Sequence, residues 1–79
     1  MSASSADDAR RCRARRFAYA GLARSAGLHR AARVILADVL CDAEDWIAGH
    51  TDDVSARLDL AHAHALLARV ESEHAASVR

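Results

Sequence analysis

The sequence has almost nothing that would interrupt a helix. Its 79 residues include no proline and three glycines, the two residue types least favourable to a helix interior. Alanine, the strongest helix former, occupies twenty positions. Three glycines can separate the chain into only a few helical segments, so the composition predicts an all-α chain.

Other residue types are scarce or missing. There is no lysine, so every cationic side chain is an arginine, and the two cysteines, Cys12 and Cys41, form no CxxC pair. This spacing favours reduced thiols over a disulfide framework. No apolar run approaches the roughly 20 residues of a membrane span. Transit peptides contain few acidic residues, so Asp7 and Asp8 argue against one. Arg24 leaves the apolar run near the N-terminus too short for a secretory signal. We therefore expect a cytoplasmic protein without membrane contact.

Hydrophobic residues make up 52% of the chain, but about half of them are alanine. An alanine side chain removes little apolar area from water when it is buried. A chain of this length with so few large apolar residues has a thin core. We therefore expect self-association, with a homodimer completing the helical bundle.

The formal net charge is zero, yet the charges are segregated. Residues 1–36 contain eight arginines and two aspartates, whereas residues 37–79 contain three arginines and nine acidic residues. The halves therefore carry net charges of +6 and −6. Such asymmetry indicates a nucleic-acid partner, an acidic protein partner, or pairing of the two halves with each other.

Gly27 and Gly49 divide the chain into three predicted helices. The first begins after Ser5 and ends near Gly27, which can adopt the left-handed cap conformation. The second covers roughly residues 28–48, and the third begins with Thr51 as N-cap and continues to about Ser77. The fold expected is a helical hairpin, formed by the second and third helices, with a shorter basic N-terminal helix.

The hydrophobic periodicity differs between the helices. The second has one apolar arc of about 140°, comprising Leu28, Ala32, Ile35, Leu36, Val39, Leu40, Ala43, Trp46 and Ile47. The third has a core face with Leu60, Ala63, Leu66, Leu67 and Val70, and a second apolar face with Val54, Leu58, Ala61, Ala65 and Ala68. A helix that is apolar on two sides has two neighbours, so we predict that the second face is an interface.

The stretch RRCRARRF, residues 10–17, contains five arginines that point to all sides of a helix. Without an apolar stripe, residues 1–16 are expected to form an exposed basic arm beside a single domain at residues 17–79. Either an acidic protein surface or phosphate groups would bind such an arm. The candidate binding residues are Arg10, Arg11, Arg13, Arg15, Arg16, Arg30 and Arg33.

The segment LARSAGLHRAARVIL, residues 22–36, resembles the helix-turn-helix of bacterial repressors. Ala23 and Gly27 have the spacing of the turn, and Leu28 matches the apolar residue after the glycine. The resemblance implies DNA binding through Arg30 and Arg33. It departs from the pattern at Arg33, where an apolar core residue is normal. A glycine-capped helix end followed by a new helix explains the same residues.

Catalytic and metal-binding patterns are weak. Glu71 and His74 have the i, i+3 spacing of helical di-metal carboxylate sites, and His64 is a further candidate ligand, but the additional glutamates that such sites require are missing. Cys12 lacks a histidine or an acid that would orient it as a nucleophile. We therefore predict no cofactor, no metal site and no enzymatic activity. The leading hypothesis is a small interaction protein that binds itself or a larger partner with an acidic surface, and the alternatives are a nucleic-acid-binding regulator and a metal-binding bundle.

Overall fold

The computed structural model describes residues 4–77, which form three helices in an elongated bundle of 49 × 19 × 14 Å. Helix α1 spans Ser4–Ser25, α2 spans His29–Gly49 and α3 spans Val54–Ser77. The prediction of an all-α chain with three helices is therefore confirmed. Within these residues, no helix has an apolar stretch long enough to cross a bilayer.

The turn between α1 and α2 is organised by Gly27, as the sequence predicts. Its φ is +78°, a left-handed conformation that glycine adopts without steric penalty. The backbone N–H of Leu28 donates to the carbonyl of Ala23 at 2.8 Å, and that of Gly27 donates to Arg24 at 3.0 Å. This pair of hydrogen bonds satisfies carbonyls that the end of α1 leaves free.

The connection between α2 and α3 differs from expectation at the N-cap of α3. The predicted cap, Thr51, lies in the preceding turn, and α3 begins three residues later. Asp53 is the cap instead, because its Oδ1 accepts a hydrogen bond from the backbone N–H of Ala56 at 3.1 Å. The other carboxylate oxygen of Asp53 accepts from the indole N–H of Trp46 at 2.7 Å. The contact with Trp46 fixes which residue caps the helix.

Helix α2 lies at the centre of the bundle and packs against both of the other helices, whereas α1 and α3 touch each other at fewer points. Its buried residues are Ala32, Leu36, Val39 and Ala43, all of them on the predicted apolar arc. Leu28 is the exception on that arc, with 58% of its surface exposed. It precedes the first residue of α2 and has a non-helical φ and ψ, so helical periodicity does not apply to it.

Alanine dominates the core. The buried apolar residues of the described chain are Leu36, Val39 and Val70 together with Ala20, Ala23, Ala32, Ala43, Ala56 and Ala63. Phe17, Ile35, Leu66 and Leu67 pack against them while remaining partly exposed. Small side chains let helix backbones approach closely but bury little apolar area, as the composition predicts.

The sequence leads us to expect an exposed basic arm at residues 1–16, and the burial of Arg13 departs from that expectation. Residues 1–3 lie outside the described part, and from Ser4 onward the chain is continuous with α1. Most side chains from Ala6 to Arg15 are exposed, but Arg13 is only 2% exposed. An isolated cation is seldom buried to that extent, and the ion pair described below explains it.

Candidate functional site

The basic half of the chain is paired with the acidic half across the helix interfaces. Four arginines from residues 1–36 form ion pairs with acidic residues from residues 37–79. The pairs are Arg13–Asp59, Arg16–Asp42, Arg24–Glu73 and Arg33–Glu71. Much of the charge asymmetry seen in the sequence is thus neutralised within the folded chain.

Arg13 and Asp59 form the most buried of these pairs. The guanidinium Nε donates to Asp59 Oδ2 at 2.7 Å. The side chain of Arg13 is 3% exposed and that of Asp59 is 26% exposed. One further guanidinium nitrogen of Arg13, Nη2, is buried without a hydrogen-bond partner. A buried charge of this kind is tolerated because its counter-ion is in direct contact with it.

Arg24 and Glu73 form a two-point contact near the opposite end of α1 and α3. Nε donates to Oε1 at 2.9 Å, and Nη2 donates to Oε2 at 2.6 Å. The hydrogen bond from Arg24 lowers the pKa of Glu73, and the same bond raises the pKa of Arg24. Both side chains are about one third exposed, so solvent screening weakens the pair. Its planar geometry still fixes the alignment of the two helices.

At the α2–α3 turn, Trp46 joins two polar partners. It donates to Asp53, and His50 stacks on its ring with centroids 3.7 Å apart. The pKa of Asp53 is lowered, chiefly by the hydrogen bond from Trp46 and next by that from the Ala56 backbone. The contacts among the three side chains stabilise the turn.

The candidate arginines lie on α1 and α2, and several of them have acidic partners. Arg13, Arg16 and Arg33 have acidic partners on other helices, and Arg10 pairs with Asp7 of its own helix at 3.3 Å. The remaining candidates are exposed and have no ion pair among residues 4–77, namely Arg11, Arg15 and Arg30. Three of the seven candidates are thus without an ion pair in the described part of the chain.

The geometry of α1 and α2 also differs from that of a DNA-binding helix-turn-helix, whose helices meet at about 90–120°. Here α1 and α2 form an antiparallel hairpin, with Ala20 and Ala23 packed near Ala32 and Leu36. The Arg16–Asp42 pair extends the contact along the hairpin. Arg33 is also tied to Glu71 of α3.

The candidate metal ligands are not assembled into a site. Across the described residues, no three His, Cys, Asp or Glu side chains lie close enough to hold an ion. His64 is exposed on α3, and Glu71 lies beside Arg33. His74 packs against His29, with ring centroids 5.7 Å apart. The thiols of Cys12 and Cys41 are both free and exposed.

A groove beside the α1–α2 turn has a volume of about 630 Å³. Leu28, Val34 and Ala31 form much of its lining, with His29 and His74 at one side. It is an open surface depression whose lining also includes Ser77, and the hydroxyl of Ser77 donates to the backbone carbonyl of His74 at 3.0 Å. The groove adds exposed apolar surface.

The second apolar face of α3 is not covered by α1 or α2. Val54 is 65% exposed and Leu58 is 64% exposed. Ala61, Ala65 and Ala68 continue the face and are exposed as well. We refer to these five residues as the outer face of α3. It is a continuous apolar strip on a helix that is otherwise packed against the bundle.

Two functional contacts were missed by sequence reasoning. In the sequence, Arg24 stands out only because it interrupts an apolar run, and nothing marks Asp53 as a helix cap. The first and third helices of a three-helix bundle run in the same direction, so their C-terminal ends lie close together. The opposite charges of Arg24 and Glu73 near those ends could therefore have predicted the pair. No sequence signal pointed to the Trp46–Asp53 bond.

No protein-family model matches the chain, and no curated protein or solved structure is significantly similar to it. Its function therefore has to be inferred from its residues and their geometry.

Proposed function

We propose that this protein is a small, non-catalytic helical interaction module that binds another protein chain through the outer face of α3. The observation that carries the proposal is the exposure of Val54 and Leu58, both of which are more than 60% accessible to solvent. The three exposed alanines of the outer face continue the same strip along the helix. Large apolar side chains grouped on one surface of a small domain are typical of protein interfaces. In a chain with a thin core, covering them would add apolar burial that the monomer lacks.

The charge arrangement supports the same proposal. Because several arginines are neutralised by acids of the same chain, the net positive field available to an external polyanion is small. This favours association through an apolar surface over docking through the arginines. The nucleic-acid alternative has only Arg11, Arg15 and Arg30 as unpaired candidates among the described residues. Phosphate binding normally draws on a clustered basic surface.

The proposal can be tested by site-specific photo-crosslinking in the native host. A photoreactive amino acid is placed at Leu58, and in a matched control at Leu22, which is 67% exposed on α1. We expect a protein adduct from position 58 and none from position 22. No adduct at position 58, or equal adducts at both, would overturn the proposal.

The alternative is tested with purified protein and a fluorescent DNA duplex. Phosphate-mediated binding weakens steeply as salt rises from about 50 to 200 mM. We expect no anisotropy change at the lower salt concentration. Salt-sensitive binding that is lost on replacing Arg11 and Arg15 with alanine would support nucleic-acid binding instead.

A further inference from the structure

We infer that the outer face of α3 binds α3 of a second copy of this chain, in antiparallel orientation and in one particular register. The inference rests on the proposed function and specifies the partner. It follows from three properties of α3: the spacing of its exposed apolar residues, the sizes of those residues and the charges beside them.

The spacing is that of a helix–helix seam. Val54, Leu58, Ala61, Ala65 and Ala68 are separated alternately by four and three residues, which is the 3.5-residue repeat of coiled-coil packing. The pattern continues through Ser72 and Ala75, and all seven residues are exposed. A straight helical neighbour could therefore follow the face along almost the whole of α3.

The residue sizes favour an antiparallel pair. The large residues, Val54 and Leu58, lie at the N-terminal end of the seam, and the small ones lie toward its C-terminal end. In a parallel pair, large residues would meet at one end and small ones at the other. In an antiparallel pair, Leu58 packs against Ala68 of the second copy, and Ala61 packs against Ala65. Large and small residues then alternate across the interface and keep the helix spacing uniform.

The flanking charges select the same arrangement. With Leu58 opposite Ala68, Arg57 lies opposite Glu71 of the second copy, and the two-fold axis repeats the pair. Arg57 is exposed and has no ion pair among the described residues. Glu71 is 54% exposed, and its contact with Arg33 is 3.8 Å long, beyond hydrogen-bond distance. Both groups are therefore available to a partner.

A parallel pair would lack this complementarity. In a parallel pair, Arg57 would lie beside His62 of the second copy, and His64 would lie beside Arg69 of the second copy. Neither contact joins groups of opposite charge. Charges that flank a helix seam set the orientation of the partner. Helix α1 borders α3 on the side of His62, where Phe17 and His62 pack with centroids 4.7 Å apart. On the other side of the seam, Arg33 of α2 lies beside Glu71, and Arg57 is exposed.

The test is a charge swap across the predicted pair, measured by sedimentation of the full chain under reducing conditions so that Cys12 and Cys41 form no cross-link. The wild type should show a monomer–dimer equilibrium. In the antiparallel dimer, either Arg57→Glu alone or Glu71→Arg alone puts like charges at positions 57 and 71 opposite each other. The two-fold axis repeats this repulsive contact, so each dimer contains two of them. We expect each variant to weaken dimerisation by about tenfold, since exposed pairs contribute up to about 1 kcal/mol each.

The diagnostic result comes from mixing the two variants. In the antiparallel dimer, an Arg57→Glu chain and a Glu71→Arg chain form two opposite-charge pairs, so a 1:1 mixture should dimerise as well as the wild type. The double variant should also recover self-association. Failure of both to recover, with α-helical circular dichroism unchanged, would overturn the antiparallel register.

Two further outcomes separate this inference from the proposed function. If the wild type stays monomeric while Leu58 crosslinks to another protein, the second-copy inference is wrong and the proposed function stands. If Leu58→Glu leaves the dimer intact, the outer face is not the interface and the inference is also wrong. The matched control is Leu22→Glu, which we expect to leave the dimer unchanged.

Discussion

The Arg13–Asp59 pair should respond very differently to the loss of either partner. Replacing Asp59 with alanine leaves a guanidinium whose side chain is 3% exposed without its hydrogen-bonded counter-ion. Breaking a buried pair in this way costs about 3–5 kcal/mol. We expect a value near the lower limit, about 3 kcal/mol, because Asp53 also lies close enough to interact with the charge of Arg13.

Replacing Arg13 with methionine should be much less damaging. Methionine fills the space of the aliphatic stem, and the carboxylate left behind is 26% exposed, so water can solvate it. We expect a loss of about 1 kcal/mol, the ordinary net contribution of one hydrogen bond. Because the two side chains form one unit, the double variant Arg13→Met/Asp59→Ala should recover most of the loss caused by Asp59→Ala.

The assay is thermal unfolding followed by far-ultraviolet circular dichroism at one fixed protein concentration, since self-association would shift the midpoint. For a domain of this size, each kcal/mol corresponds to about 4–8 °C in Tm. Asp59→Ala should therefore lower Tm by about 12–24 °C, and Arg13→Met by about 4–8 °C. An equal or larger loss from Arg13→Met would show that burial does not decide the asymmetry and would refute the reasoning.

Three other predictions follow from single contacts. Gly27→Ala should destabilise the fold by about 1 kcal/mol because φ is +78° there. Gly21 lies inside α1 with open space around its Cα, so Gly21→Ala should stabilise the fold by about 0.5–1 kcal/mol. The urea midpoints of the two variants should therefore shift in opposite directions. The pKa of Glu73 is lowered in the folded state, so its carboxylate contributes stability at neutral pH. That stability is lost as pH falls from the unfolded-state pKa of about 4.3 through the lower pKa of the folded state. Glu73→Gln should therefore flatten the pH dependence of the urea midpoint in that acidic range, and an unchanged slope would contradict it. Leu36→Ala, at a fully buried position, should cost about 2–5 kcal/mol, measured as the loss in urea-extrapolated stability.

The helices and the centre of the core could be predicted from the sequence because they depend on local periodicity. Leu36 and Val39 recur at the helical repeat, and Gly27 is the residue type that a left-handed cap requires. These signals lie within a few residues of each other. They do not depend on how the helices are placed in space.

The partners of the arginines could not be predicted in this way. Arg13 and Asp59 are 46 residues apart, and their contact depends on the rotation and axial shift of α1 relative to α3. A wheel projection of residues 10–16 shows arginines on every side and so suggests full exposure. It cannot show that an acid on another helix lies opposite one of them. The burial of Arg13 is a tertiary effect that overrides the local pattern.

The sparse contact between α1 and α3 has a consequence for partial unfolding. Helix α1 is held on one side by the hairpin with α2, and toward α3 by the ion pairs of Arg13 and Arg24 and by the packing of Phe17 on His62. Concentrated salt screens exposed ion pairs far more than buried ones, so it weakens Arg24–Glu73 more than Arg13–Asp59. Amide hydrogens of α1 should then exchange with solvent well before those of α2, so that α2 and α3 form the slowest-exchanging unit.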